Sequence, residues 1–82
     1  MKMLSLVREH KEYWEQYLQD EDLGKQAQRL YPLAKWIESW ILEGSPQGSE
    51  IADKWYERTI VCQYTEERIL CEIAIAYHSM KV

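Results

Sequence analysis

Apolar residues recur at three- and four-residue intervals between Leu23 and Ile41, and this spacing constrains the fold more than any other feature. Such a period places the apolar side chains on one face of an α-helix. The spacing continues in phase across Pro32, where the ring and the missing N–H predict a kink or a restart of the helix. Gly44 stands where a left-handed residue commonly ends a helix. The apolar face consists of Leu23, Ala27, Leu30, Ala34, Ile37 and Ile41.

An amphipathic helix is also predicted before this one, over about residues 3–19. Asp20, Glu21 and Asp22 then end that helix and supply N-cap candidates and first-turn carboxylates for the next. The stripe of the first helix is formed by Leu4, Val7, Lys11, Trp14 and Leu18.

The turn formers of residues 45–49 divide the chain into two halves. Ser49 is a candidate N-cap for a third helix, and Thr65, followed by two glutamates, is typical of another helix start. Residues 50–79 therefore form either one long helix or two helices with a break near residues 63–65. The face predicted for the last segment contains Ile69, Ile73, Ala76, Tyr77 and Met80.

Strand formers compete with this interpretation in residues 59–65, and apolar residues alternate from Ile69 to Tyr77. Only Thr65, Glu66 and Glu67 separate the two runs, and no Gly, Asn or Pro is present to turn a hairpin. Helix is favoured. We predict an all-α fold, a small bundle of three to four helices in one domain over residues 1–82.

The charge balance disfavours a nucleic-acid surface, because 14 acidic residues outnumber 10 basic ones and give a net charge of −4. No apolar run approaches the roughly 20 residues of a membrane helix. The first residues lack the apolar stretch of a secretory signal. Cys62 and Cys71 have apolar neighbours and a spacing that does not favour a disulfide, as is typical of free thiols in a reducing compartment. We expect a cytoplasmic protein that does not enter a membrane.

Aromatic usage is the best indication of function, since the chain has four Trp and six Tyr but no Phe. Rings with a polar group are enriched at interfaces. The alternative is that the indoles simply fill a small core. We predict Tyr31, Trp36, Trp40 and Trp55 as anchors for a protein partner.

Acidic residues without an intervening base lie between Lys11 and Lys25. They form either a solvated helix end or a patch that steers the protein toward a basic surface. We assign Glu12, Glu15, Asp20, Glu21 and Asp22 to the second role. Together with the aromatic anchors, they predict a non-enzymatic inhibitor of another protein, such as a phage product, an antitoxin or an immunity protein. The alternative is a structural subunit that associates with itself, for example as a homodimer.

Two carboxylate pairs, Glu9 with Glu12 and Glu50 with Asp53, resemble the ExxE and ExxD elements of the MazG-type nucleotide pyrophosphatases. This resemblance implies an all-α fold that holds Mg²⁺ between facing carboxylates. The sequence contains no phosphate-binding glycine loop and no nucleophile motif. We therefore expect no catalytic residues, no metal and no cofactor.

Residues 53–77 resemble the helical segment that precedes the helix-turn-helix in phage antitermination proteins and sigma-factor regions. The resemblance is carried by the run from Glu66 to Leu70 and by Tyr77. It implies a small nucleic-acid-associated regulator, whose recognition helix would follow Tyr77. Without that helix in the sequence, nucleic acid is not the expected partner.

Overall fold

Four α-helices form the described part of the chain in the computed structural model, which covers residues 2–44 and 49–81 and leaves the side chains of 49–52 and 81 undescribed. The turn formers predicted at 45–48 and the capping side chain of Ser49 lie outside this description. No strand occurs in the described ranges, so the all-α prediction is confirmed. The helices are α1 (Lys2–Glu15), α2 (Gly24–Leu42), α3 (Ser49–Ile60) and α4 (Thr65–Lys81).

Helix α1 is shorter than predicted, because it ends at Glu15 and residues 16–19 form a turn. The side chain of Asp20 organises the connection to α2. Its Oδ1 accepts hydrogen bonds from the backbone N–H groups of Asp22 at 2.8 Å and Leu23 at 2.9 Å. Since α2 begins only at Gly24, this carboxylate closes the turn before the helix and is not its N-cap.

Helix α2 runs through Pro32 without interruption, so of the predicted kink or restart the restart does not occur. Pro32 is exposed, as is Gln28, whose backbone carbonyl lacks its usual N–H donor because of the proline. Water can hydrate a carbonyl on this side of the helix. Five of the six residues of the predicted apolar face are buried: Ala27, Leu30, Ala34, Ile37 and Ile41. The sixth, Leu23, is half-buried and directly precedes the helix.

The end of α2 follows the sequence prediction closely. Gly44 has a left-handed φ of 79°, and its N–H donates to the carbonyl of Ile41 at 3.0 Å. The preceding N–H, of Glu43, donates to the carbonyl of Ser39. Glycine is needed here because a side chain disfavours this backbone conformation.

Replacing Gly44 with alanine is expected to lower the free energy of unfolding by about 1 kcal/mol. No atom lies within 4 Å of a Cβ built at this position, so the cost comes from the backbone conformation alone. Urea unfolding at 25 °C measures it. Gly44→Asn is the control, because asparagine tolerates the left-handed region and should lose less. Equal losses in the two variants would contradict this explanation.

Residues 61–64 separate α3 from α4, so the two-helix alternative is correct and Thr65 begins a helix as predicted. The face of α4 that is buried differs from the predicted one. Ile69, Ala76 and Met80 are exposed, although Tyr77 is buried as expected. The face that enters the core lies one position further along and contains Leu70, Cys71, Ala74, Tyr77 and His78.

The helices pack so that α2 and α4 run in the same direction at the centre. Ion pairs and hydrogen bonds join the beginnings of both helices (Arg29 with Glu67) and their ends (the Tyr77 hydroxyl to the Ile41 carbonyl, 3.4 Å). Helix α1 packs mainly on α2 and also on α4, whereas α3 packs on α4. This arrangement leaves concave surfaces on both flanks of α4.

Candidate functional site

Two of the predicted aromatic anchors are inside the protomer. Trp40 and Trp55 are only 3% and 1% exposed, with their ring centroids 5.8 Å apart. Trp40 also stacks on His78 at 5.9 Å and lies edge-on to Tyr77 at 6.1 Å. The expectation that these two indoles are accessible to a partner is wrong, because Trp40 packs between Trp55 and the rings of α4, and Trp55 packs against the indoles of α2. Trp14 is buried as well.

Trp36 is the indole that remains available at the surface. It is 46% exposed, and its ring lies 4.5 Å from that of Trp55. Tyr31 is half-buried and lies five positions away on α2, which is about 140° around the helix. The structure therefore does not bring Tyr31 and Trp36 together into one aromatic surface.

The predicted acidic patch is accessible in full. Glu12 and Glu15 lie at the end of α1, and residues 20–22 lie in the turn that follows. All five side chains are exposed, and none of them forms an ion pair with a described residue. Among these acids, only the Asp20 side chain has a described hydrogen-bonding role, in closing the turn. The negative charge at this end of the bundle is thus open to solvent.

A buried carboxylate that the sequence analysis missed joins three helices. Glu67 is fully buried and accepts hydrogen bonds from Arg29 Nε at 2.7 Å and Nη2 at 3.0 Å. Arg58 Nε donates to it at 3.3 Å, and the N–H of Gln63 donates at 3.1 Å. The pattern Thr65-Glu66-Glu67 predicts a helix start, but nothing local marks Glu67 as an interior residue.

Opposing effects act on the pKa of Glu67. Burial alone raises it, but the hydrogen bonds from Arg29 and Gln63 and the charge of Arg29 lower it, and the net pKa lies below its usual value of 4.5. The carboxylate of Glu38, held by Lys11 at 2.8 Å and Arg8 at 2.9 Å, also has a lowered pKa. Both carboxylates are therefore charged at neutral pH.

Acidification is expected to destabilise the protein through these two carboxylates. A group whose pKa is lowered on folding contributes stability above its unfolded pKa, near 4.5, and that contribution is lost as the pH falls through the folded pKa. Urea unfolding between pH 7 and pH 3 measures the effect. In Glu67→Gln the decrease should be smaller than in the native chain, and identical pH profiles would contradict the assignment to Glu67.

An open groove of about 520 Å³ lies between α3 and α4 on the outer side of the bundle. Tyr56 and Ile60 extend from α3 at 62% and 73% exposure. Val61, which follows α3 directly, is similarly exposed. The α3–α4 groove is lined by Tyr56, Thr59, Ile60, Arg68, Glu72, Ile75 and Ala76.

The groove is not visible in the sequence, because its residues come from two helices that come together only in the tertiary structure. The one signal was that Ile60 and Val61 are large apolar residues next to the predicted break. Arg68 pairs with Glu72 at 3.1 Å within α4, and both side chains are largely solvated. The groove thus combines apolar side chains from both helices with an ion pair on α4.

The carboxylate pairs that resemble a magnesium site are not assembled among the described side chains. Glu9 and Glu12 lie on α1, which packs on α2 and α4, whereas Asp53 lies on α3. The side chain of Glu50 is outside the description. No group of three or more His, Cys, Asp or Glu residues able to hold a metal ion occurs among the described residues.

Both cysteines are free, as predicted, and they differ in burial. Burial raises the pKa of the Cys71 thiol to about 11, whereas Cys62 is half-buried in the break between helices. Because the thiolate is the reactive form, we expect iodoacetamide at pH 8 to label Cys62 in the folded protein and Cys71 only in urea. Mass spectrometry counts the adducts. Rapid labelling of both thiols without denaturant would contradict this expectation.

No protein-family model, curated protein or solved structure matches this chain. Within the described residues, none of the helices has the length and apolar character required to cross a membrane. Functional inference therefore depends on the surfaces described above.

Proposed function

We propose that this protein acts by binding another protein, without catalysing a reaction, and that the α3–α4 groove is its main contact surface. The observation that carries the proposal is the exposure of Ile60 and Tyr56 along an open groove. Adjacent apolar side chains exposed on a small protein are typical of an interaction site. Within the protomer, no other described helix packs over this side of α3.

An amphipathic helix of the partner is the element that fits this groove. A groove between two packed helices accepts the ridge of side chains on a third helix. Ile60 and Ile75 would contact its apolar face, and Arg68 and Glu72 would contact its polar border. The open shape of the groove suits an extended helical segment better than a small molecule that must be enclosed.

The acidic end of the bundle would contribute to the rate of association and to the choice of partner. Exposed carboxylates attract a positively charged surface over about one Debye length. We infer a partner with a basic surface, and we infer inhibition by occupation of that surface, as for antitoxins, immunity proteins and phage products that act on host machinery. A cytoplasmic location belongs to the same proposal. The exposed Trp36 on α2 would add apolar contact area outside the groove.

Site-specific photocrosslinking in the native host tests the proposal. Benzoylphenylalanine at position 60 should give an adduct with one partner protein, whereas the same group at Lys25, exposed on α2, should not. Adding Tyr56→Ala to the crosslinking chain should reduce the yield several-fold. Absence of an adduct at position 60 would contradict the proposal. An adduct with a second copy of the chain would replace it with the self-association alternative.

A further inference from the structure

A second concave site lies on the other flank of α4, between α1 and the first turn of α4. It is an open cleft of about 340 Å³. None of its lining residues is shared with the α3–α4 groove. The α1–α4 cleft is lined by Glu9, His10, Tyr13, Trp14 and Glu66.

The cleft holds negative charge that the described part of the protein does not neutralise. Glu9 and Glu66 have no ion-pair partner among the described residues, and Glu66 accepts a hydrogen bond only from the neutral amide of Gln26, at 3.2 Å. By contrast, Glu38 and Glu67 each pair with two cationic side chains. The carboxylates of Glu38 and Glu67 are thus neutralised by cationic side chains of the protein itself. Those of Glu9 and Glu66 remain available to a cation from a binding partner.

Aromatic rings lie beside these carboxylates. The half-exposed Tyr13 ring lies 4.9 Å from Trp14 and nearly perpendicular to it, and 5.1 Å from the ring of Tyr17. The face of an aromatic ring attracts a cation. Trp14 is 3% exposed, and its indole N–H, although buried, has no acceptor in the structure. The cleft thus offers negative charge and an aromatic face, beside an indole whose buried N–H has no acceptor.

A guanidinium group matches this combination better than an ammonium does. It is planar, stacks on aromatic rings and can donate hydrogen bonds to two carboxylates at once. The exposed acids of α1 and of the turn at residues 20–22 extend the negative surface beyond the cleft. That extension favours a basic protein segment over a small free cation, because several positive residues can be accommodated together.

We propose that the α1–α4 cleft binds an arginine side chain presented by a basic segment of a protein partner. The inference rests on the proposed protein-binding function for the nature of the partner, but it concerns a surface separate from the α3–α4 groove. Glu9 and Glu66 bind the guanidinium, and Tyr13 stacks on it.

The test is a titration of the ¹⁵N-labelled protein with a blocked tripeptide that carries arginine at its centre. We expect saturable NMR shifts at the Trp14 indole N–H and at the backbone amides of Tyr13 and Glu66. The same peptide with citrulline, which has nearly the same shape but no charge, should bind about tenfold more weakly. Shifts that do not saturate, or equal binding of the two peptides, would overturn the proposal.

Matched variants separate the cleft from general acidity. Glu9→Gln combined with Glu66→Gln should weaken binding of the arginine peptide about tenfold. Glu43→Gln combined with Glu57→Gln removes the same charge from exposed positions outside both the cleft and the acidic end of the bundle, so its effect should stay below about twofold. Equal weakening in both pairs would reject the site. Ile60→Asp changes the α3–α4 groove and should leave the affinity for the arginine peptide unchanged. The peptide titration therefore tests the cleft alone, and crosslinking at position 60 tests the groove alone.

Discussion

Replacing Glu67 with glutamine is expected to lower the free energy of unfolding by about 3 kcal/mol. The fully buried carboxylate accepts four hydrogen bonds, three from Arg29 and Arg58 and one from the N–H of Gln63. Glutamine fills the same space, but its NH₂ group cannot accept the hydrogen bonds that the carboxylate oxygen accepts. The substitution also removes the negative charge that neutralises the two arginines. The arginines are about one-third exposed and can be hydrated after the change, which places the loss at the low end of the range for broken buried pairs.

Such a loss is large for a chain of this size, because 82 residues support a total stability of roughly 4–12 kcal/mol. Urea unfolding at pH 7 and 25 °C measures it. Glu72→Gln is the matched control: its pair with Arg68 is more than half exposed, and we expect a loss below about 0.5 kcal/mol. Similar losses in the two variants would show that the Glu67 network does not join the helices as the geometry indicates.

Replacing Trp55 with alanine is expected to lower the free energy of unfolding by about 4 kcal/mol. Trp55 is the buried core residue that α3 contributes among its described side chains, and it contacts the rings of Trp36 and Trp40. Its removal opens a cavity at the place where α3 meets α2. The unpartnered indole N–H already costs some stability, so the loss should not exceed this value.

Local measurements distinguish this effect from a general weakening of the core. In Trp55→Ala, hydrogen exchange should accelerate in α3 more than in α1, because α1 packs on α2 and α4 independently of Trp55. Trp36→Ala is the control; since Trp36 is about half exposed, we expect a loss near 1 kcal/mol. Equal losses from the two tryptophans, or uniform acceleration of exchange, would contradict the anchoring role of Trp55.

The surfaces proposed for binding differ in how far the sequence could predict them. The acidic residues from Glu12 to Asp22 were identified correctly as exposed, because a run without a neighbouring base is a local property. Of the four aromatic anchors, only Trp36 is largely exposed, since Trp40 and Trp55 are buried and Tyr31 is half-buried. Whether an indole is buried depends on which helices pack over its ring, and the composition of the chain does not specify how the helices pack. Neither the α3–α4 groove nor the α1–α4 cleft was visible before the helices were placed.

The sequence by itself determined the helical elements. The apolar period of α2 and the cap at Gly44 depend on residues within a few positions of one another, and so does the start of α4 at Thr65. Local conformational preferences and one-sided burial are sufficient for such features. Pro32 shows the limit of this reasoning, because its cost depends on whether water reaches the neighbouring carbonyl.

Only the tertiary structure decided which side of α4 faces inward. Apolar residues lie on more than one side of this helix, so burying Leu70 and Ala74 or burying Ile69 and Met80 satisfies the local pattern similarly. The orientation observed, with Leu70 and Ala74 inside, is the one that also brings Glu67 to Arg29, a residue 38 positions away in the sequence. Contacts over such separations leave no periodic trace in the sequence, because their energy is gained only when the helices have already come together.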